Sequence, residues 1–101
     1  MKLLRKSFRE WLARQRGNRK FWYADNSHCL IATWLKETKT CQDPHVSPTD
    51  VIDRAVDCVS KDFPPWLQYV NDLIVSIVDA RAQGRDLHVH TVKEFRDLYN
   101  A

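Results

Sequence analysis

Residues 64–84, PPWLQYVNDLIVSIVDARAQG, form the longest amphipathic stretch of the sequence and predict its central helix. At 100° per residue, the apolar side chains of this stretch cover about half of the helix circumference. Pro64 and Pro65 are tolerated in a first helical turn, and Gly84 is a typical helix stop. We therefore predict a helix over residues 64–83. Its apolar face consists of Trp66, Leu67, Tyr69, Val70, Leu73, Ile74, Ile77, Val78 and Ala80.

Two capping boxes predict the first and the last helix of the chain. Ser7 and Glu10 form an S-x-x-E box, which predicts a helix over residues 7–16, with an extension back to residue 2 as the alternative. Gly17 suits the left-handed position just after this helix. Thr91 and Glu94 repeat the box before a helix that runs to residue 99.

Two further helices are predicted between these ends. A polar residue at position 25, 26 or 27 can cap a helix that runs to residue 38. Ser47 as a cap, Pro48 at the first helical position and Asp50 at the third predict a helix over residues 48–61. The expected inner face of this third helix consists of Val51, Ile52, Ala55, Val56 and Val59.

Five helices with short connections indicate an all-α fold, a compact bundle in a single helical domain over residues 1–101. A hydrophobic content of 44% is sufficient for a core. Residues 40–46 are predicted as a loop. A short two-stranded pairing of residues 21–23 with residues 87–89 is the one expected addition to the helices.

Positive charge is concentrated at the start of the chain. The formal net charge is +3, but residues 1–20 carry +7 and residues 21–101 carry −4. On the first predicted helix the basic side chains fall within about 100° of each other, beside an apolar stripe of Leu4, Phe8, Trp11 and Leu12. The basic face consists of Lys2, Arg5, Lys6, Arg9 and Arg16.

The basic face and the residues that follow it are the candidate binding site. Such a face binds phosphates or an acidic protein surface, with a merely solvated face as the alternative. The third predicted helix is acidic on its outer face, the fourth has few basic groups, and neither is a recognition helix for reading bases, so a protein or ribonucleoprotein partner is favoured over sequence-independent nucleic-acid binding. We expect a monomer or a homodimer. The candidate residues are Lys2, Arg5, Lys6, Arg9, Arg16, Arg19, Lys20, Trp22 and Tyr23.

Enzymatic activity is not expected. Two glycines cannot build a Gly-rich phosphate loop, and the three cysteines lack CxxC spacing. Cys41-x3-His45 and His88-x-His90 match no zinc-site spacing, so we expect no metal and no cofactor. Cys29 follows His28, but adjacent helical positions point about 100° apart, and a small buried or half-exposed thiol between two layers is the simpler interpretation.

A cytoplasmic location without a membrane partner is expected. No apolar run approaches the ~20 residues of a membrane span. The start MKLLRKSFREW is basic, but only two leucines follow before charge returns, unlike a secretory signal.

The stretch FWYADNSHCLIATWL, residues 21–35, after an FREWL first helix, is similar to a pattern in small phage and prophage accessory proteins. The resemblance covers about the first third of the chain. It implies a mobile-element accessory protein of unknown activity, and small products of this kind often bind and inhibit a host complex, such as a CRISPR or other defence complex. The net positive charge differs from that of acidic DNA mimics, although Asp50, Asp53 and Asp57 on the third predicted helix leave a mimic open.

Overall fold

A computed structural model describes residues 2–22, 26–56, 59–81 and 89–100. Within these residues the chain is mixed α/β, with four helices and two antiparallel sheets, so the predicted all-α bundle of five helices is wrong. The elements are α1 (Arg5–Ala13), β1 (Lys20–Trp22), α2 (Leu30–Glu37), β2 (Pro44–Val46), β3 (Asp50–Asp53), β4 (Val59–Asp62), α3 (Pro65–Arg81), β5 (Val89–Thr91) and α4 (Val92–Tyr99).

The smaller sheet pairs β1 with β5. Phe21 lies opposite His90, and Trp22 lies opposite Val89. This is the pairing that the sequence offered as an addition to the helices, found over residues 20–22 and 89–91. Since β5 leads directly into α4, the sheet attaches the start of the last helix to the segment that follows α1.

The larger sheet occupies the place of the third predicted helix. Strands β2, β3 and β4 form an antiparallel meander in which Val51 lies opposite Val46 on one side and Lys61 on the other. The Ser-Pro-x-Asp sequence makes the turn between β2 and β3, where Ser47 N donates to Asp50 O at 2.9 Å. Ser at the first and Pro at the second position favour a β-turn as much as a helix start, which explains the error.

Burial in β3 alternates as in a strand. Val51 and Asp53 are buried, Ile52 is half-buried, and Ala55 and Val56, predicted to face inward, are exposed. The strand geometry turns the Asp53 carboxylate inward, where it accepts hydrogen bonds from Gln42 N and Asp43 N in the segment before β2. A helix over these residues would place that carboxylate in solvent, as the sequence prediction assumed.

The first helix begins earlier than its predicted cap, and the second begins later. The N-cap of α1 is Leu4, without a side-chain cap, so the Ser7–Glu10 box is not formed. Ser7 Oγ instead accepts a hydrogen bond from Trp34 Nε1 at 3.4 Å. The N-cap of α2 is Cys29 and not a residue at positions 25–27. At α1 the predicted cap residue is used for a tertiary contact, whereas α2 has a local cap two to four positions later than predicted, where Cys29 Sγ accepts from Ala32 N.

The end of α1 also differs from the prediction. The helix ends at Ala13, and Gly17 does not adopt the left-handed conformation of a helix C′ residue. Its carbonyl accepts a hydrogen bond from Lys93 N at 2.9 Å. The residue therefore serves the contact between this turn and the first turn of α4.

The last two helices follow their sequence signals closely. Thr91 caps α4, and the complete capping box with Glu94 is present. The long helix α3 starts at Pro65 as the proline pair indicates, while its predicted end at residue 83 lies outside the described residues. Leu67, Val70 and Ile74 of its apolar face are buried.

Phe8 of α1 lies at the centre of an aromatic cluster that joins all four described helices. Its ring centroid lies 5.3 Å from that of Trp34 in α2, 5.6 Å from that of Trp66 in α3 and 6.1 Å from that of Phe95 in α4. Tyr99 in α4 contacts it as well, at 5.9 Å. These contacts determine which side of α1 faces the core and which side faces solvent.

Candidate binding surfaces

The outer side of α1 is basic and exposed, as predicted. Phe8, Trp11 and Leu12 are buried, with 0 to 3% of their surface exposed. Leu4, predicted for the apolar stripe, is 54% exposed, and its neighbour Leu3 is buried instead. The exposed basic side chains of this segment include Lys2, Arg5, Lys6, Arg9 and Arg16.

A groove between α1 and α4 collects part of this basic face. Arg5 Nε donates to the hydroxyl of Tyr99 at 3.4 Å, which joins the two helices at its rim. The cavity in the groove measures about 150 Å³. It is lined by Arg9, Leu12, Ala13, Arg96, Tyr99 and Asn100. None of these lining residues is acidic.

Arg96 holds the floor of this groove and was not among the predicted site residues. Its Nη2 donates to the carbonyls of Leu12 and Gln15, at 2.8 and 2.6 Å. Within the described parts of the chain, its buried Nε has no hydrogen-bond acceptor. The available signal was the i, i+3 spacing of Arg96 and Tyr99 on one helix, but only the packing of α4 against α1 shows which groups they face.

Arg19 has a structural role. Its guanidinium bonds both carboxylate oxygens of Glu37, at 3.1 and 2.6 Å, and lies 5.1 Å from the centroid of the Phe21 ring. The hydrogen bond from Arg19 lowers the pKa of Glu37, against a smaller opposing effect of burial, and the bond from Trp11 Nε1 adds to the lowering. The same hydrogen bond raises the pKa of Arg19. Of the predicted cations, this one already has an acidic partner.

A second cavity, of about 320 Å³, lies between β1 and α2. Lys20, Trp22, Lys36 and His28 contribute to its lining together with the Arg19–Glu37 ion pair. Trp22 is 57% exposed. Tyr23 lies outside the described residues. The predicted site is therefore divided, since the lining of this cavity shares no residue with the groove between α1 and α4.

The cysteines do not form a reactive site in the described structure. Cys29 is buried, one of the two placements expected for a structural thiol, and its Sγ accepts a hydrogen bond from Ala32 N at 3.4 Å. Burial, and secondly the negative charge of Asp53, raise the pKa of Cys41 to about 11. Cys58 and His88 lie outside the described residues. The described part of the chain holds no cluster of three or more His, Cys, Asp or Glu side chains suited to a metal ion.

The acidic face expected on the third helix is not formed. Asp53 is 6% exposed and accepts hydrogen bonds from Gln42 N, Asp43 N and Ala55 N at 3.1 to 3.2 Å. Burial alone would raise its pKa, but these three backbone donors outweigh burial and lower the pKa. Asp57 lies outside the described residues, so a three-carboxylate DNA mimic has no support here.

Comparison with protein-family models, with curated proteins and with solved structures finds no match to this chain. Within the described residues, no helix is both long enough and apolar enough to cross a membrane.

Proposed function

We propose that this chain is a non-enzymatic binding protein that covers an acidic surface of a partner protein. The observation that supports this proposal is the outer side of α1, where Arg5 and Arg9 are exposed while Phe8, Trp11 and Leu12 anchor the opposite side in the core. A basic face on an anchored helix loses little conformational freedom on binding, and preorganisation of this kind favours affinity.

The resemblance of residues 21–35 to small phage accessory proteins supports a partner in a host complex, reached in the cytoplasm. Inhibition then requires no chemistry, because a bound protein blocks the surface that the complex needs. Arginine and tyrosine are enriched among the residues that dominate interface energies, and both occur together where Arg5 contacts Tyr99.

Charge reversal tests this function. In a pull-down from a bacterial lysate with quantitative mass spectrometry, the R5E/R9E/R16E variant should lose a partner that the unchanged protein retains. The matched control K36E/K39E/K61E has the same net charge change at exposed lysines outside α1 and α4. Equal recovery with R5E/R9E/R16E, in a folded protein, would overturn the proposal.

Sequence-independent nucleic-acid binding is the second candidate, and the cavity beside β1 favours it. Trp22 is 57% exposed next to Lys20 and Lys36, and exposed aromatic rings beside cations are the parts of single-strand stacking platforms. Fluorescence anisotropy with a labelled single-stranded oligonucleotide should then show affinity that falls steeply with salt and is reduced by Trp22→Ala. Absence of binding at low salt would end this candidate.

A further inference from the structure

The cations of the groove between α1 and α4 lack internal counter-charges. Within the described residues, Arg5, Arg9 and Arg96 take part in no ion pair, whereas the nearby Lys93 is paired with Asp97 at 2.6 Å. Guanidinium groups around a groove without a carboxylate create a local positive potential. The groove thus presents hydrogen-bond donors and positive charge, but the described residues place no anionic side chain against them.

The donors are held in place by the fold. Arg96 is fixed by its bonds to the carbonyl of Leu12 in α1 and to that of Gln15 just after the helix. The ring of Tyr99 stacks on Phe95, with centroids 5.4 Å apart and planes 18° from parallel, and its hydroxyl is bonded by Arg5. An incoming anion therefore meets Arg96 and Tyr99 already in place, which lowers the entropic cost of binding, while the exposed Arg9 is ordered on binding.

The size of the groove selects a small anionic group. Its volume of about 150 Å³ is half of the ~300 Å³ at which small-molecule sites begin. It is thus large enough for a single short side chain rather than a nucleotide. The planar fork of arginine matches the two oxygens of a carboxylate.

We propose that this groove binds the carboxylate of an Asp or Glu side chain from an acidic segment of the partner protein. Arg9 and Arg96 supply the positive charge, and the side chain of Asn100 and the hydroxyl of Tyr99 border the site. Tyr69, which is 53% exposed and has its ring centroid 6.5 Å from that of Tyr99, provides an aromatic rim for the residue next to the carboxylate. This assignment rests on the proposed function and gives it a specific contact.

The test is a titration of the ¹⁵N-labelled protein with a peptide of alternating glutamate and glycine, followed by NMR at the arginine Nε–H signals. The signals of Arg9 and Arg96 should shift, and the matched glutamine–glycine peptide should leave them unchanged. Arg9→Gln should weaken binding about tenfold, the expected loss of one charge-assisted hydrogen bond. The control Arg16→Gln removes the same charge from an exposed arginine outside the groove lining and should weaken binding much less.

Equal weakening by Arg9→Gln and Arg16→Gln would show attraction by overall charge and overturn the inference. Absence of shifts with the glutamate peptide, equal shifts with the glutamine peptide, or stronger shifts with a single-stranded oligonucleotide would also overturn it. The proposed function has a separate test. If R5E/R9E/R16E loses the partner while Arg9→Gln weakens binding no more than Arg16→Gln does, the proposed function stands and only the carboxylate site is overturned.

Discussion

Arg96 of α4 caps the C-terminal end of α1, where its Nη2 donates to the carbonyl of Leu12 at 2.8 Å and to that of Gln15 at 2.6 Å. The last carbonyls of a helix have no partner within the helix, and the helix dipole favours a cation near them. This contact joins the two ends of the chain and orients the groove proposed to bind a carboxylate.

Replacing Arg96 with glutamine should lower the free energy of unfolding by about 1–3 kcal/mol, because the two charge-assisted hydrogen bonds to the carbonyls of Leu12 and Gln15 are lost. Arg96→Lys should lower the free energy of unfolding less, because lysine keeps the positive charge although it lacks the planar guanidinium group. Urea denaturation measures both. The control Arg14→Gln changes an exposed arginine at the C-cap of α1 and should change the free energy of unfolding by no more than about 0.5 kcal/mol. A loss of equal size in the control would contradict a specific capping role.

The carboxylate of Asp53 should make stability depend on acidity. Its pKa is lowered in the folded state, so its contribution is present above its unfolded pKa of about 3.9 and is lost as the pH falls through the lower folded value. Asp53→Asn should lower the free energy of unfolding near neutral pH by about 1–2 kcal/mol.

The difference between unchanged protein and Asp53→Asn should shrink as the pH falls below about 4. Urea denaturation across a pH series checks this. Asp97→Asn is the control, because Asp97 forms an exposed pair with Lys93 that is expected to contribute little. A difference that stays constant with pH would show that the Asp53 charge is not involved.

Lys39 has φ of 58°, in the left-handed region, just after the C-cap of α2 at Thr38. A non-glycine residue in this region raises the free energy of the folded state by roughly 1–2 kcal/mol. Glycine avoids this strain but loses more conformational entropy on folding, which offsets part of the gain. Lys39→Gly should therefore raise the free energy of unfolding by up to about 1 kcal/mol. The same change at Lys36, inside the last turn of α2, should lower it by about that amount. Thermal denaturation compares them, and a loss in both variants would contradict the prediction.

The thiol of Cys41 should resist alkylation. With a pKa of about 11 it holds far less thiolate near pH 8 than a free cysteine, so we expect a reaction with iodoacetamide slower on the order of a hundredfold. Peptide mapping by mass spectrometry, with the urea-unfolded chain as reference, measures the rate. Asp53→Asn should increase the rate in the folded protein, because it removes a negative charge that raises the pKa. Alkylation of Cys41 at the rate of the unfolded chain would exclude the burial described here.

Local sequence signals determined several features of the protein. The Thr91–Glu94 capping box begins α4, the proline pair begins α3, and the apolar spacing of Phe8, Trp11 and Leu12 places the inner side of α1. Each of these signals involves residues within a few positions of each other, so the physical interaction is complete within the segment. The exposed basic side of α1 follows from the same helical spacing.

Tertiary structure alone decided the meander and the composition of the site. The Ser47–Asp50 sequence suits a turn or a helix start equally, and the choice depends on loop N–H groups of Gln42 and Asp43 reaching Asp53. Arg96 and Leu12 lie 84 positions apart, so no local pattern relates them. Charge and periodicity show that α1 presents cations, but which of them share a groove depends on packing between distant segments, and that depends on the whole core.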